Sequence, residues 1–350
     1  MSSNLKEFIL DYIARSGPMD IATFMAYSLG HPKYGYYMSR QPFGVEGDFT
    51  TAPEVSQMFG EILAGWIIDT WMKMGSPDFY LVEGGPGRGT LMADILRATR
   101  KVPGFHEAAH IHLIETSSML QKKQQEVLSD YKVTWHSSLD HLPYDKRFIF
   151  IANELLDALP IRQLQKTDDG WKEVVIYNKD SALVLGHRDF PTPVMFDAPI
   201  GAVYEFSPAR DAFTRQLCQM VKSQKGAALL IDYGTENPEF GVSLHAIHQH
   251  KRVGILEVVS DVDLSANVNF SDIKAIAAEE GIPVFGAIPQ GQFLKNLGIE
   301  ARAGFLSSRN PAEADNLQKA LQRLTSSDEM GALFKVIGLT HDESIIPAGF

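Results

Sequence analysis

The sequence predicts an α/β fold organised around a largely parallel sheet. Short apolar runs alternate with segments of helical periodicity over residues 79–152, and another apolar run follows at 227–232. Strands that alternate with helices favour parallel strands joined by helical crossovers, with both faces of the sheet covered. One apolar run also ends in a glycine-rich turn that opens a helix, as is typical where such sheets bind ligands.

Composition and charge indicate a globular protein. The 350 residues are 45% hydrophobic and 21% charged, which excludes a disordered or fibrous chain. The net charge of −11 disfavours general nucleic-acid binding and would attract a basic, arginine-bearing protein. Cys218 is the only cysteine, so no internal disulfide can form, and we expect a reducing compartment, the cytoplasm.

The N-terminal segment predicts helices over residues 1–30, interrupted at Gly17-Pro18. Acidic residues in the first helix argue against an arginine-rich transit peptide. The longest uncharged stretch, 281–294, is short and holds two prolines, so we expect no membrane insertion. Residues 31–52 are rich in glycine, proline and aromatic residues, and they predict a loop that could contact the substrate.

A strong helix start is predicted at Thr51. This threonine is placed to cap the helix, Pro53 suits the first turn, and Glu54 completes a capping box. From Val55 to Ile67, apolar residues recur at helical spacing and form one stripe. We therefore predict a helix that begins directly after Thr51.

The order of elements suggests four regions. Residues 1–52 would carry the N-terminal helices and the substrate loop, and 53–153 the half of the core that binds a cofactor. Residues 227–350 would complete the core and add C-terminal helices. The stretch 154–226 is longer than one crossover needs, so we predict an inserted subdomain that contains β-strands.

Two patterns refine these regions. Within the insertion, residues 171–177 and 181–185 alternate like a hairpin. Near the C-terminus, the apolar runs 282–288 and 333–339 predict two edge strands of the sheet. Helical periodicity predicts further helices over residues 89–101, 117–129, 271–280 and 311–325.

The turn after the first predicted strand is the most informative motif. Glu83 ends that strand, and three alternate glycines follow before a helix. Glycine permits positive φ and close approach of a ligand to the backbone. Thr90 stands where a dinucleotide fingerprint needs glycine, and a P-loop is excluded because no Gly-Lys-Ser/Thr follows. Glu115 closes the second run, where it could accept ribose hydroxyls, so the pattern indicates a nucleoside cofactor.

Four segments carry a resemblance to a known family. They are His31–Tyr37, Gly47–Glu61, Glu83–Gly89 and Ala152–Pro160. On these segments the chain resembles the MidA-like family of S-adenosylmethionine-dependent protein arginine methyltransferases, as a bacterial-type member. Mitochondrial members of that family assist assembly of respiratory complex I. The resemblance implies a seven-strand, Rossmann-like class I methyltransferase sheet, and its proposed client is an arginine-bearing protein, such as a respiratory-chain subunit.

The resemblance also implies where S-adenosyl-L-methionine would bind. The glycine turn would take the methionine part of the cofactor, and Glu115 would take the ribose. Ser138 and Leu139 would lie near the adenine, and Asn153 would stand beside the donor. The implied cofactor-binding residues are Glu83, Gly84, Gly85, Gly87, Gly89, Glu115, Ser138, Leu139 and Asn153.

The acceptor side needs carboxylates, because a guanidinium is planar, positively charged and recognised bidentately. Glu154 and Asp157 follow the fourth predicted strand and would share a face of a helical turn. Asp48 is a third candidate. The alternatives are that Glu154 caps the next helix, that Asp157 is solvated and that Asp48 belongs to an ordinary turn.

Other readings remain open at this point. A non-catalytic assembly or binding factor could keep the same fold, whereas Thr90 argues against a nucleotide-dependent oxidoreductase. No metal site is expected, because the clustered histidines have no cysteine or carboxylate at ligand spacing. Asn267 and Asn269 replace a histidine and an aspartate of the family pattern, which leaves any role of those two residues in doubt.

Overall fold

The centre of the molecule is an eight-stranded mixed sheet. The computed structural model describes residues 4–39, 51–191, 197–237, 240–259 and 262–350. Seven strands form the body of the sheet: β1 (Phe79–Gly84), β2 (Ala109–Ile114), β3 (Val133–His136), β4 (Arg147–Asn153), β5 (Ala227–Thr235), β6 (Val284–Pro289) and β7 (Phe334–Thr340). They lie in the order β6-β7-β5-β4-β1-β2-β3, and the short strand Val268–Asn269 pairs with the end of β5.

The directions of the strands confirm the predicted α/β class. Strands β1 to β5 run parallel, whereas β7 is antiparallel to both of its neighbours, β5 and β6. The prediction of two edge strands holds for β6 but is wrong for β7, which lies inside the sheet. β7 pairs through its backbone with β5 on one side and with β6 on the other, which an edge strand cannot do.

Helices cover both faces of this sheet, as the alternating pattern predicts. One core layer packs the helix Gln57–Lys73 against side chains such as Leu81, and the opposite layer packs Pro208–Ser223 against side chains such as Val82. The other α-helices are Leu5–Ser16, Ile21–Gly30, Tyr36–Ser39, Ala52–Val55, Thr90–Thr99, Phe105–Ala108, Ser118–Val127, Phe270–Glu280, Gln290–Asn296, Ile299–Arg309, Ala314–Thr325 and Met330–Leu333, with short 3-10 turns at Leu139–His141 and Pro311–Glu313.

The predicted capping box at Thr51 is wrong. The side chain of Thr51 makes no capping hydrogen bond, and the helix is split at Ser56, whose Oγ accepts from the N–H of Met58 at 3.2 Å. Glu54 instead accepts a hydrogen bond from Thr90 Oγ1 at 2.8 Å. The Glu54 carboxylate thus binds at the start of the helix Thr90–Thr99 and is not available for the reciprocal cap.

A second, five-stranded sheet contains the predicted hairpin. Its strands are Met19–Asp20, Arg162–Thr167, Gly170–Lys179, Ala182–Asp189 and Val203–Phe206. The hairpin of Gly170–Lys179 with Ala182–Asp189 is confirmed. Met19 pairs with Ile176, so the N-terminal segment joins this sheet, a long-range contact that the sequence does not predict.

A third, three-stranded sheet consists of Lys251–Val253, His245–His248 and Asp263–Ser265. The predicted break near Gly17 is confirmed, since helices lie on both sides of it. Within the described ranges, no helix combines the length and the apolar character that a membrane crossing requires.

Candidate active site

The glycine turn, Gly84–Gly89, lies at the carboxyl end of β1. Gly85, Gly87 and Gly89 all have positive φ, at +65°, +52° and +84°. A Cβ on Gly84 would lie 2.7 Å from Phe150 Cζ, which is closer than real side chains approach. The turn therefore needs glycine for its backbone path and for its tight packing.

Glu115, directly after β2, places a buried carboxylate beside the glycine turn. Its Oε1 accepts from the N–H of Ser117 at 2.7 Å, and its Oε2 accepts from Gln124 Nε2 at 3.2 Å. The same Nε2 donates to the carbonyl of Gly87 at 2.7 Å, while Trp135 Nε1 donates to Gln124 Oε1 at 2.8 Å. Burial raises the pKa of Glu115, and these donors oppose the shift. One buried amide thus holds together the turn, this carboxylate and β3.

A cleft of about 590 Å³ opens beyond the carboxyl ends of the parallel strands. Eight of the predicted site residues line it: Gly84, Gly85, Gly87, Glu115, Ser138, Leu139, Glu154 and Asp157. Apolar side chains such as Leu120, Leu155 and Phe213 complete the walls. An apolar cleft of this size with a few polar groups is typical of sites for nucleoside-sized ligands.

Glu154 stands directly after β4 in a backbone conformation that few non-glycine residues adopt, with φ of +54°. Its N–H donates to the carbonyl of Ile231 in β5 at 2.9 Å. Its Oε1 accepts from Asn153 Nδ2 at 3.0 Å and from the N–H of Ala52 at 3.4 Å. Burial, together with the charge of Asp157, raises the pKa of Glu154 to about 8. A strained backbone and a shifted pKa in one cleft residue indicate a functional group.

Two buried charged side chains hold the turn that carries Asp157. Asp232 in β5 is 1% exposed, and its Oδ2 accepts from the N–H groups of Leu156 and Asp157 at 2.8 and 3.2 Å. Arg210 is 8% exposed and donates to the carbonyls of Leu156 and Asp157 at 2.6 and 3.2 Å. It also donates to two carbonyls of the segment 266–267. A carboxyl group that accepts and a guanidinium that donates therefore hold the same two residues from both sides.

The wall beside Asp157 contains Tyr37, Tyr233 and Asp263. The hydroxyl of Tyr37 donates to Asp263 Oδ1 at 3.0 Å. Asp157 Oδ1 and the Tyr233 hydroxyl are both buried beside this wall. Burial raises the pKa of Asp157, and the nearby Arg210 and a hydrogen bond from the Tyr233 hydroxyl oppose this shift. The carboxyl group of Asp157 is thus a buried acceptor in the wall of the cleft.

Three predicted cofactor residues and one predicted catalytic residue do not line this cleft. Glu83 and Asn153 lie behind the glycine turn and line a separate cavity of about 40 Å³. Gly89 is the N-cap position of the helix Thr90–Thr99. Asp48 lies outside the described residues.

The two asparagines that depart from the family pattern also stand away from this cleft. Asn269 Oδ1 accepts from the N–H of Ser271 at 3.1 Å and caps the helix Phe270–Glu280. Asn267 contributes its carbonyl to Arg210 and its N–H to Ser243 Oγ. Both asparagines therefore have structural partners, and Asn267 shares Arg210 with the turn that carries Asp157.

Sequence reasoning missed Gln124, Arg210 and Asp232. Asp232 is a lone charge within an apolar strand, a signal that could have identified it. Gln124 and Arg210 lie in amphipathic helices among other polar residues, and no local pattern marks them. Among the residues that the structure describes, no three His, Cys, Asp or Glu side chains are arranged to hold a metal ion.

Comparison with known proteins identifies the family of this chain. Residues 62–288 match the model of an S-adenosyl-L-methionine-dependent methyltransferase family. The chain is 33% identical to a Danio rerio protein named protein arginine methyltransferase NDUFAF7, mitochondrial, over 95% of this chain and 87% of that protein. It is 32% identical to the Homo sapiens protein of the same name, over 93% and 81%.

A solved structure shares the whole architecture. A COG1565 superfamily member from Burkholderia thailandensis, crystallised with S-adenosyl-homocysteine, matches with a TM-score of 0.87 and 29% identity, over 98% of this chain and 93% of that chain. The class I methyltransferase sheet expected from the resemblance is thereby confirmed, and so is the MidA-like resemblance. This chain belongs to the family of S-adenosyl-L-methionine-dependent methyltransferases.

Proposed function

We propose that this protein transfers a methyl group from S-adenosyl-L-methionine to an arginine side chain of a protein. One observation carries the proposal. The cleft has the glycine turn and Glu115 at its cofactor end, and Glu154 and Asp157 line the same cleft. A site with two carboxylates beside a methyl-donor pocket suits a planar, positively charged guanidinium.

The residues at the cofactor end of the cleft suit S-adenosyl-L-methionine. S-adenosyl-L-methionine supplies a methyl group bonded to a positively charged sulfur. The glycine turn would hold its methionine part, because no side chain blocks the backbone there. Glu115 would accept the ribose hydroxyls, since each carboxylate oxygen keeps a lone pair beyond its present donor. Ser138 and Leu139 would contact the adenine from the end of β3.

At the acceptor end, Glu154 would pair with the guanidinium and orient one nitrogen toward the methyl group. As the bond from nitrogen to carbon forms and the bond from sulfur to carbon breaks, that nitrogen loses a proton. The ionised Glu154 carboxylate would accept this proton. Asp157 would hold the remaining positive charge, because its side chain lines the same cleft. We also keep Asp48 as a candidate for contact with the acceptor.

The relatives support arginine as the acceptor, since the two vertebrate proteins compared above are named protein arginine methyltransferases. Those two relatives are also named as mitochondrial. For the client we propose a respiratory-chain subunit or its equivalent, whose basic surface would suit a net charge of −11. The compartment we propose is the cytoplasm, because the single cysteine, Cys218, is free and buried.

A labelling experiment tests the proposal. The purified protein is incubated with methyl-labelled S-adenosyl-L-methionine and with a lysate from cells that do not make this protein. The Gly87→Val and Glu154→Gln variants are assayed in parallel. We expect a labelled protein band that both variants lose, with the label on arginine by mass spectrometry. Label on another residue type alone would overturn the arginine acceptor. No label despite saturable cofactor binding by calorimetry would instead support a non-catalytic binding factor.

A further inference from the structure

Two residues behind the glycine turn each carry a buried oxygen that lacks a partner among the described residues. Glu83 is 3% exposed, and the two oxygens are its Oε2 and Asn153 Oδ1. Both residues line the same cavity of about 40 Å³, which Glu54 and Glu154 also line. Unsatisfied buried oxygens are uncommon in folded proteins, and two on residues that line one cavity indicate a shared ligand.

The protonation of Glu83 gives these two atoms complementary chemistry. Burial raises the pKa of Glu83 to about 8, and the N–H of Met92 opposes this shift. At neutral pH most molecules therefore carry a proton on this carboxyl group, which can donate one hydrogen bond. Asn153 Oδ1 can only accept. A donor and an acceptor thus face the same small cavity.

We propose that Glu83 and Asn153 share one ordered water in this cavity, and that this bridge positions the carboxylate of Glu154. A cavity of about 40 Å³ exceeds the roughly 10–15 Å³ that one water requires. The other end of the Asn153 amide, Nδ2, donates to Glu154 Oε1 at 3.0 Å. A water that occupies Oδ1 therefore keeps Nδ2 turned toward Glu154. Glu83 and Asn153 are therefore positioning residues. The inference rests on the proposed function only for the role of Glu154 toward the acceptor.

The bridge has a consequence for the acidity of Glu154. With the amide held in this orientation, Nδ2 stabilises the ionised form of the carboxylate. If the donor at Glu83 is removed, the Asn153 amide can reverse and present Oδ1 to Glu154. That orientation disfavours the ionised form, so the pKa of Glu154 should rise.

A purely structural role of Glu83 makes a different prediction. Its carboxyl group receives the N–H of Met92 and could serve only to cap the helix Thr90–Thr99. Loss of such a cap would lower stability and cofactor affinity, but it would not change the titration of Glu154. The two accounts can therefore be separated by that titration.

The test is an infrared difference titration of the whole protein without acceptor. The carbonyl band of protonated Glu154 is identified by its loss in Glu154→Gln, and its midpoint is followed with pH. We expect Glu83→Met to raise the midpoint by on the order of 1 pH unit. Glu83→Gln keeps a donor at the same place, so its midpoint should stay near that of the unchanged protein.

Asn153→Ala is the second variant, and it should raise the midpoint as Glu83→Met does. Thermal unfolding and S-adenosyl-homocysteine binding show whether each variant is folded. An unshifted midpoint in a folded Glu83→Met or Asn153→Ala protein would overturn the inference. Because this readout uses no acceptor, a shifted midpoint in a protein that methylates no arginine would keep the bridge and reject the proposed function.

Discussion

The two ends of the cleft are built in different ways. At the cofactor end, Glu115 and its partner Gln124 are nine residues apart, and the predicted cofactor residues that line the cleft lie between residues 84 and 139. At the acceptor end, the bond from Leu156 to Asp232 spans 76 residues and the bond from Tyr37 to Asp263 spans 226. One end therefore comes from consecutive strand-turn-helix units, and the other is assembled from distant segments.

The electrostatics of the two ends differ as well. Backbone amides, Gln124 and one carboxylate supply the polar groups of the cofactor end. The acceptor end contains four carboxyl groups, those of Glu154, Asp157, Asp232 and Asp263, and one buried arginine, Arg210. Buried charges depend strongly on their partners, so damage to the acceptor end should affect stability and pH dependence, and damage to the cofactor end chiefly affinity.

Substitution of the acceptor carboxylate, Glu154, should reduce activity most strongly. Glu154→Gln should lower kcat/KM by about 1,000-fold, because an amide can neither accept the proton nor pair with the guanidinium charge. Cofactor affinity, measured by calorimetry, should stay close to that of the unchanged protein. A parallel loss of cofactor affinity would show that the two ends are not separable.

Arg210 tests whether the acceptor end depends on its buried cation. Arg210→Met should lower the free energy of unfolding by about 3 kcal/mol, since four backbone carbonyls of residues 156, 157, 266 and 267 would lose their donor. Arg215 is the matched control on the same helix, because its ion pairs with Glu279 and Glu280 are partly exposed. Arg215→Met should cost less than about 1 kcal/mol by urea unfolding. Equal losses in both variants would contradict the role assigned to Arg210.

Gly85 tests the cofactor end. Its φ is +65°, and a Cβ there would lie 3.0 Å from Leu155 Cδ1, so Gly85→Val should raise the Kd for the cofactor by about 10–100-fold. Gly65→Ala is the control, because a Cβ at Gly65 meets no atom within 4 Å. That variant should bind the cofactor normally in the same calorimetric titration. Normal cofactor binding by a folded Gly85→Val protein would show that the glycine turn is not part of the cofactor site.

The activity should also depend on pH in a gradual way. Below its raised pKa of about 8, Glu154 is mostly protonated, and only the ionised form can pair with the guanidinium. We therefore expect kcat/KM to rise by about tenfold per pH unit up to about pH 8 and then to level. The residual activity of Glu154→Gln should lack this rise. A profile that falls with pH over this range would assign the proton transfer to another group.

Local patterns predicted much of the fold correctly. The strands around the glycine turn, the hairpin of the second sheet and the break near Gly17 are all confirmed. The capping box at Thr51 and the edge position of β7 were predicted incorrectly, because tertiary contacts decide both. Glu54 finds a better partner in Thr90, and β7 is needed between β5 and β6 to bury side chains on both faces.

Local patterns were enough to predict the parallel core and the glycine turn, and they indicated which carboxylates to consider. These depend on periodicity and on backbone conformations that neighbouring residues set. Long-range contacts place Arg210 and Asp232 against the Asp157 turn and Glu83 behind the glycine turn, and no local pattern predicts them. Such placements depend on which distant side chains share a buried space, where the energy of a polar group is set by its partners.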